Sequence, residues 1–501
     1  MNKKFLRTIG AVTLISVMLS SASSCGLIVF NSNADITSDT LSETGETTVT
    51  PPVSGTPNDT SSVQSTEIPD PEIVIRERLS ALPQRDMSEV SVIIAAADNS
   101  PLFPDSTDTP DAVSRQDSKR AVEEKYNTSV IEIGTSPEAL FEAAREAYNS
   151  DMYYADLLVI PQSMLGEYFA EGMLANLRSL PYVNLDAPYY NSSVTSASIA
   201  GNGIYAVSGA ASFNPDYLSC VYFNRGIVKQ FVGEDLYALV NEGKWTWDKF
   251  AEFAKTVDSV GSLHGHGSTF ELYDYIDVAA SSQGISYISN TEGVVPTVTY
   301  LATPTSSNAK AVVNKLRSLL YSDGSFVKTN GTALRDIFTG DTLMFMTDGL
   351  YAAELISDSD ADWGILPLPK FDEAQKEYIS PMMDDSPVFC VLKNTPKYET
   401  SGLILEALNL ASYEYVTESY INRHIDYVLR DDGSIHMLEL ICGTAWTDFA
   451  HMYSSGISNL ESATYGAMYK AVTTRSTIDS LYKNLKNAAN RAVAAKIKVY
   501  N

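Results

Sequence analysis

Cysteine is scarce: Cys25, Cys220, Cys390 and Cys442 are the only four in 501 residues, and no two form a CxxC pair. That excludes a zinc knuckle and a disulfide scaffold. Positive charge is also short. Lys and Arg number 35 against 62 Asp and Glu, a formal charge of −27, so nothing is left to neutralise phosphate and nucleic acid is excluded as a partner. The acidity itself reads as a device for solubility. No GxSxG elbow, HExxH pair, GxxxxGKS/T loop or GxGxxG turn after a strand occurs, so the common nucleophilic, metallopeptidase and nucleotide sites are not indicated. What is present is a 44% apolar fraction with only 19% charged residues, enough to bury the cores of two or three domains.

The first residues carry an address. Lys3, Lys4 and Arg7 precede the apolar run Ile9–Leu19, too short to span a bilayer, and small residues then lead to Cys25. This is the layout of a signal peptide over residues 1–24. Ala22-Ser23-Ser24-Cys25 resembles a bacterial lipobox, with Ala22 where Leu is usual, which implies lipidation at Cys25. Residues 25–88 read as a solvated tether rich in Ser, Thr, Asp, Glu and Pro, with order able to begin among the apolar residues of Glu72–Leu82. A long tether of this kind suits a Gram-positive envelope.

From Val90 onward, strand and helix alternate. Val90–Ala97, Ser129–Ile133 and Asp156–Ile160 are apolar runs of strand length, and Ser136-Pro137-Glu138 opens an amphipathic helix with a cap, an N1 proline and an early acid. In parallel sheets ligands settle beyond the carboxyl ends of strands, which singles out Asp98, Asn99 and Gln162. The stretch Ile204–Arg225 reads as two extended runs around the turn-formers Gly209, Asn214, Pro215 and Asp216, a crossing from one half of the molecule to another with a cleft beside it. Thr246 caps a helix carrying Trp247 and Phe250, and Trp245 is placed to staple against Phe250. His264-Gly265-His266 reads as a Gly-rich loop exposed to solvent, and no metal is expected there. Leu343–Thr347, Trp363–Leu366 and Pro387–Leu392 are further strands, the last a return crossing. Tyr287–Thr332 gives no consistent pattern, and Thr477–Val499 is a long helix with Ile478, Leu481, Leu485, Ala488 and Ala492 inward.

The signal-plus-cysteine start, the Trp245-Thr246-Trp247-Asp248 helix and the run Trp363-Gly364-Ile365-Leu366-Pro367-Leu368-Pro369 together resemble extracellular solute-binding lipoproteins of ABC importers, in the branch that includes maltose-binding protein. The resemblance covers Val90 to the C-terminus, by order of elements more than by one motif. It implies an α/β, two-lobe, periplasmic-binding-protein-like fold of type II, with mixed sheets flanked by helices and a hinge between lobes. Residues 89–208 would form the first part of lobe 1, 209–386 the first part of lobe 2, and 387–501 the return crossing, the rest of lobe 1 and the C-terminal helices. It further implies a monomer without cofactor or metal, held outside the cytoplasmic membrane by its lipid. That monomer would capture a small solute, a carbohydrate, and deliver it to ABC permease subunits.

Under the same resemblance the solute contacts are Asp98, Asn99, Gln162, Asn214, Asp348, Tyr351, Asp384 and Tyr465, with the tyrosines covering apolar sugar faces and the polar groups meeting hydroxyls. Two alternatives stand beside this reading: a surface glycoside-processing enzyme and a sensing module uncoupled from import. Against the enzyme, Asp384 and Asp385 are adjacent in what reads as an extended run, where side chains point to opposite faces and cannot flank one bond.

Overall fold

The structure is a computed structural model that describes residues 71–97, 101–104, 107–257, 260–302, 306–322, 325–429 and 431–500. The first described element is the helix Pro71–Leu79, whose Ile75 and Leu79 are buried, inside the span read as tether. The apolar residues of that segment are the cause: alternating with charge, they give it a face to bury against the helix Tyr398–Ser412.

Two mixed sheets organise the chain. In the first, the strand order is Pro387–Cys390, Leu157–Pro161, Val92–Ala97, Val130–Thr135. The last three are parallel and joined by the helices Pro110–Tyr126 and Pro137–Asn149, while Pro387–Cys390 returns antiparallel with Phe389 opposite Val159. Ser136 caps the second helix through the Ala139 amide at 3.3 Å, as its sequence requires. The second sheet runs Phe326–Val327, His264–Ser268, Leu343–Gly349, Ser219–Asn224, Trp363–Leu366, and there Ser219–Asn224 alone runs antiparallel to its neighbours. Each sheet is the core of one lobe. The chain crosses between them before Ser219 and again before Pro387, where Leu218 bridges Met382 and Val207 bridges Phe389.

The helix Trp247–Lys255 forms as its residues dictate. Thr246 accepts from the Lys249 amide at 3.3 Å, a cap that contributes about 1 kcal/mol. Trp245 is fully buried edge-on to Phe250 at 6.0 Å. The sequence reading fails at His264-Gly265-His266, which is a strand and not a loop. Gly265 and Gly267 are there because helices press on the sheet: a Cβ at Gly265 would meet the Ala254 carbonyl oxygen at 2.3 Å, and one at Gly267 would meet Leu334 at 2.7 Å. His266 is completely buried between Phe250 and Phe326, so only His264 is exposed.

The unreadable middle resolves into the short strands Ile288–Ser289 and Thr297–Val298 and the helix Ser306–Arg317. The C-terminal segment serves both lobes. Tyr398–Ser412 and Tyr415–Tyr427 pack on the first-lobe helix Pro110–Tyr126, whereas Asp432–Gly443 packs on the second-lobe strand Trp363–Leu366. The closing helix, Ile478–Ile497, buries Ile478, Tyr482, Ala489, Val493 and Ile497, while Leu481, Leu485, Ala488 and Ala492 flank that stripe half-buried. The buried face is turned by about one residue because the Tyr482 hydroxyl reaches the Val298 carbonyl at 3.1 Å.

Between the lobes lies a buried charge network. Arg423, 4% exposed, places its Nε 3.3 Å from Asp111 of the first-lobe helix and pairs its terminal nitrogen with Glu354, on the helix Ala352–Ile356 that follows the second-lobe strand Leu343–Gly349. Next to it the Tyr420 hydroxyl donates to Asp216 at 2.9 Å. Burial foremost, with Glu354 adding to it, pushes the Asp216 carboxyl up to about 7.

Candidate functional site

A cavity of about 360 Å³ opens between the end of the second-lobe strand His264–Ser268, the return crossing and the C-terminal helices. Phe270, Tyr273, Asp274 and Asp277 come from the segment just beyond the second-lobe strand His264–Ser268 and from the helix Leu272–Ser282. Met382, Met383, Asp384 and Asp385 come from the return crossing, and His451, Glu461 and Tyr465 from the C-terminal helices. The crossing is stitched to the first lobe at Leu157–Pro161: the Gln162 amide donates to the Ser386 carbonyl at 2.8 Å and the Ser163 amide to the Asp384 carbonyl at 3.2 Å. It is tied to the second lobe by the Met383 amide, which donates to the Tyr217 carbonyl at 2.8 Å. Both lobes therefore fix the wall that carries the two aspartates. A larger hollow, about 580 Å³ around Trp247 and Lys315, lies on the second lobe alone. None of its lining residues belongs to the first sheet or to the crossings.

Asp384 and Asp385 occupy a turn between Pro381 and Pro387, not an extended strand. In a turn neighbouring side chains need not diverge, and both line the same cavity, contrary to the opposite-face argument drawn from sequence. Both are reachable by water yet hemmed in by the cleft walls. Burial first, then the charges of Asp277, Asp274 and Asp385, push Asp384 up to about 6 despite the opposing pull of His451. Burial likewise raises Asp385 and Asp274.

His451 sits 2.8 Å from Asp277, whose other oxygen accepts from the Tyr287 hydroxyl at 2.8 Å. Burial alone would lower the imidazole, but Asp277, Asp448 and Asp384 outweigh it and hold it up at about 9. A folded-state pKa above the ordinary 6.5 means a stabilising contribution complete below about pH 6.5 and lost as the pH rises through about 9. The melting temperature is therefore expected to fall over that window, and His451→Gln to flatten the fall. Parallel pH profiles for the two proteins would contradict the pairing.

The aromatic wall is continuous. Tyr465 is 5.3 Å from the His451 ring and 5.9 Å from Tyr273, and its hydroxyl meets Ser454 at 2.7 Å. Tyr273 donates to Glu461 at 2.6 Å. Of the residues singled out by sequence, Asp384 and Tyr465 line this cavity together. Gln162 lies directly behind it, completely buried, its side-chain nitrogen donating to the Met383 carbonyl at 2.8 Å.

The others are placed elsewhere. Asn214 caps the turn Pro215–Tyr217 through the Asp216 amide at 3.0 Å. Asp348 is buried and closed by Arg335 at 2.7 Å, and Arg335 also donates to the Tyr351 hydroxyl at 2.7 Å. These three are thus held by their own surroundings and do not line the cavity. Asp98, Asn99 and Cys25 lie outside the described residues.

Phe270, Tyr273, Asp274, Asp277 and His451 were not foreseen. The signal existed: Tyr273, Asp274 and Asp277 share a helix face at i, i+1 and i+4, directly after a strand. The strand went unrecognised because its glycines mimic a loop. No group of three or more His, Cys, Asp or Glu among the described residues is arranged to hold a metal ion, and no described helix is long and apolar enough to cross a membrane.

Two sheet-centred lobes joined by two crossings, with a cavity beside the return crossing, make up a two-lobe α/β fold of type II. Solved structures that share it include two sugar-binding proteins and a family 1 extracellular solute-binding protein. The cyclic α-maltosyl-1,6-maltose binding protein from Arthrobacter globiformis aligns over 81% of this chain and 100% of its own with a TM-score of 0.54 at 12% identity. The GacH receptor of Streptomyces glaucescens, solved unliganded and with acarbose, aligns over 81% and 99% with a TM-score of 0.51, also at 12%. A family 1 extracellular solute-binding protein from Bifidobacterium longum subsp. infantis aligns over 81% and 98% with a TM-score of 0.51 at 13% identity. No family model matches the sequence, and no curated protein does. At these identities the likeness is one of fold.

Proposed function

We propose that the protein captures a small carbohydrate in the cavity between its lobes and delivers it to an ABC permease, held at the membrane by a lipid on Cys25. One observation carries this: in a fold shared with oligosaccharide-binding proteins, a cavity lined by aromatic rings and carboxylates opens between the end of a second-lobe strand and the return crossing that both lobes hold. Tyr273, Phe270 and Tyr465 offer apolar faces to a pyranose, and Asp274, Asp384 and Asp385 accept from its hydroxyls. The lobes would swing about the crossings at Leu218 and Pro387 to enclose it. Asp98 and Asn99, beyond the end of Val92–Ala97, remain part of the proposed site.

A ligand that binds only the folded protein raises stability by mass action, about 2.7 kcal/mol at a hundredfold excess over Kd. At least one member of an oligosaccharide panel should therefore raise the melting temperature by several degrees and be recovered unchanged by chromatography. Release of cleaved sugar would instead make the paired carboxylates those of a hydrolase. A panel without any thermal shift would remove the carbohydrate reading.

A further inference from the structure

We infer that the solute held in this cavity carries a protonated amine. The inference rests on the reading of the cavity as the solute site and narrows the class of solute. Five carboxylates line it: Asp274, Asp277, Asp384, Asp385 and Glu461. Two are engaged, Asp277 by His451 and Tyr287 and Glu461 by Tyr273. Among the described residues, the side chains of Asp274, Asp384 and Asp385 have no hydrogen bond or ion pair. His451 is the only basic residue in the lining, and it is already committed to Asp277.

A neutral sugar can donate hydroxyl hydrogens to such groups but cannot relieve their mutual repulsion. A cation can, and Asp274, Asp384 and Asp385 are all exposed enough to meet it. The choice among cations follows from the shape. The carboxylates are not grouped to hold one metal ion, and about 360 Å³ is far more than a bare ion fills. The remaining wall is Phe270, Tyr273 and Tyr465 with Met382 and Met383, faces that suit an organic body and attract an ammonium group through the ring quadrupole. An amine on a compact, partly apolar skeleton matches every part of the lining. An amino sugar satisfies both this chemistry and the carbohydrate reading, and a polyamine satisfies the chemistry alone.

The test measures binding of four probes to the full chain by calorimetry: a glucosamine trimer, its fully N-acetylated counterpart, maltotriose and spermidine. The glucosamine trimer should bind roughly tenfold or more tighter than the two neutral sugars, and its affinity should fall as salt screens the charges. The double substitution Asp384→Asn with Asp385→Asn should remove that preference while leaving the unliganded melting temperature unchanged or higher, since it deletes repulsion and keeps shape. Neutral sugars binding as tightly as the amine, with the double variant unaltered, would overturn the inference and leave the carbohydrate reading intact. Spermidine binding alone would uphold the amine and remove the carbohydrate. Silence from all four probes would overturn both.

Discussion

Arg423→Ala is expected to lower the stability of the unliganded protein by about 3–5 kcal/mol, the largest loss from any single substitution considered. Arg423 is 4% exposed and Asp111 completely buried, so removing the guanidinium takes away the paired charge from a carboxylate that water cannot reach and leaves only the more general field of Arg115. Burying either charge is costly, and the loss measures the weakened compensation of the aspartate more than the worth of the pair. Asp111→Asn combined with Arg423→Met should therefore recover much of what the single change loses, and chemical denaturation of the three proteins would show it. Equal losses in the single and double variants would mean that packing, not charge, is what Arg423 supplies. The position matters for function because Arg423 joins Asp111 of one lobe to Glu354 of the other, so it lies across the path that any hinge motion must follow.

Tyr465→Ala should abolish the solute-dependent rise in melting temperature, a loss of roughly tenfold to a hundredfold in affinity for a stacking ring. The ring also touches His451, Tyr273 and Tyr287, so the unliganded protein should melt a few degrees lower. Tyr351→Ala provides the contrast. It removes a partner of Arg335 outside the cavity, and should lower the unliganded melting temperature without erasing the shift on adding solute. Thermal melts with and without the stabilising probe separate the two outcomes. A Tyr351 variant that lost the shift while the Tyr465 variant kept it would move the site towards the Asp348 turn.

The fold was largely legible in the sequence where physics leaves strong local marks. Runs such as Leu157–Pro161 and Trp363–Leu366 are buried on both faces and are written as unbroken apolar text, and the caps at Ser136 and Thr246 are fixed by side-chain chemistry within a turn. His264–Ser268 was hidden because its glycines answer to the helices packed against it, a tertiary demand invisible locally. The site was half legible for the same reason. Asp384 and Tyr465 follow from their places beside a crossing and ahead of the last helices. Tyr273, Asp274 and Asp277 depended on recognising the hidden strand, and His451 on knowing that a C-terminal helix returns to the cleft. Asp348 looked available because its turn resembles a ligand turn, but Arg335, thirteen residues earlier, folds back onto it.

The acidity of the chain was read as a matter of solubility, and most of it is exposed. The three unpartnered aspartates of the cavity are exposed as well, but they differ in gathering like charge on one concave wall. Their repulsion is an unfavourable feature of the empty protein that a suitable solute removes on binding. Strain of this kind is expected at functional positions rather than in a scaffold.

Small-angle X-ray scattering of the full chain, with and without a saturating concentration of whichever probe stabilises it, tests the central claim most directly. Closure of two lobes over a solute held at Asp384 and Tyr465 predicts a smaller radius of gyration on binding, and no such change in the Tyr465→Ala protein at the same probe concentration. A scattering profile identical with and without probe, at a concentration where calorimetry shows the site filled, would contradict it.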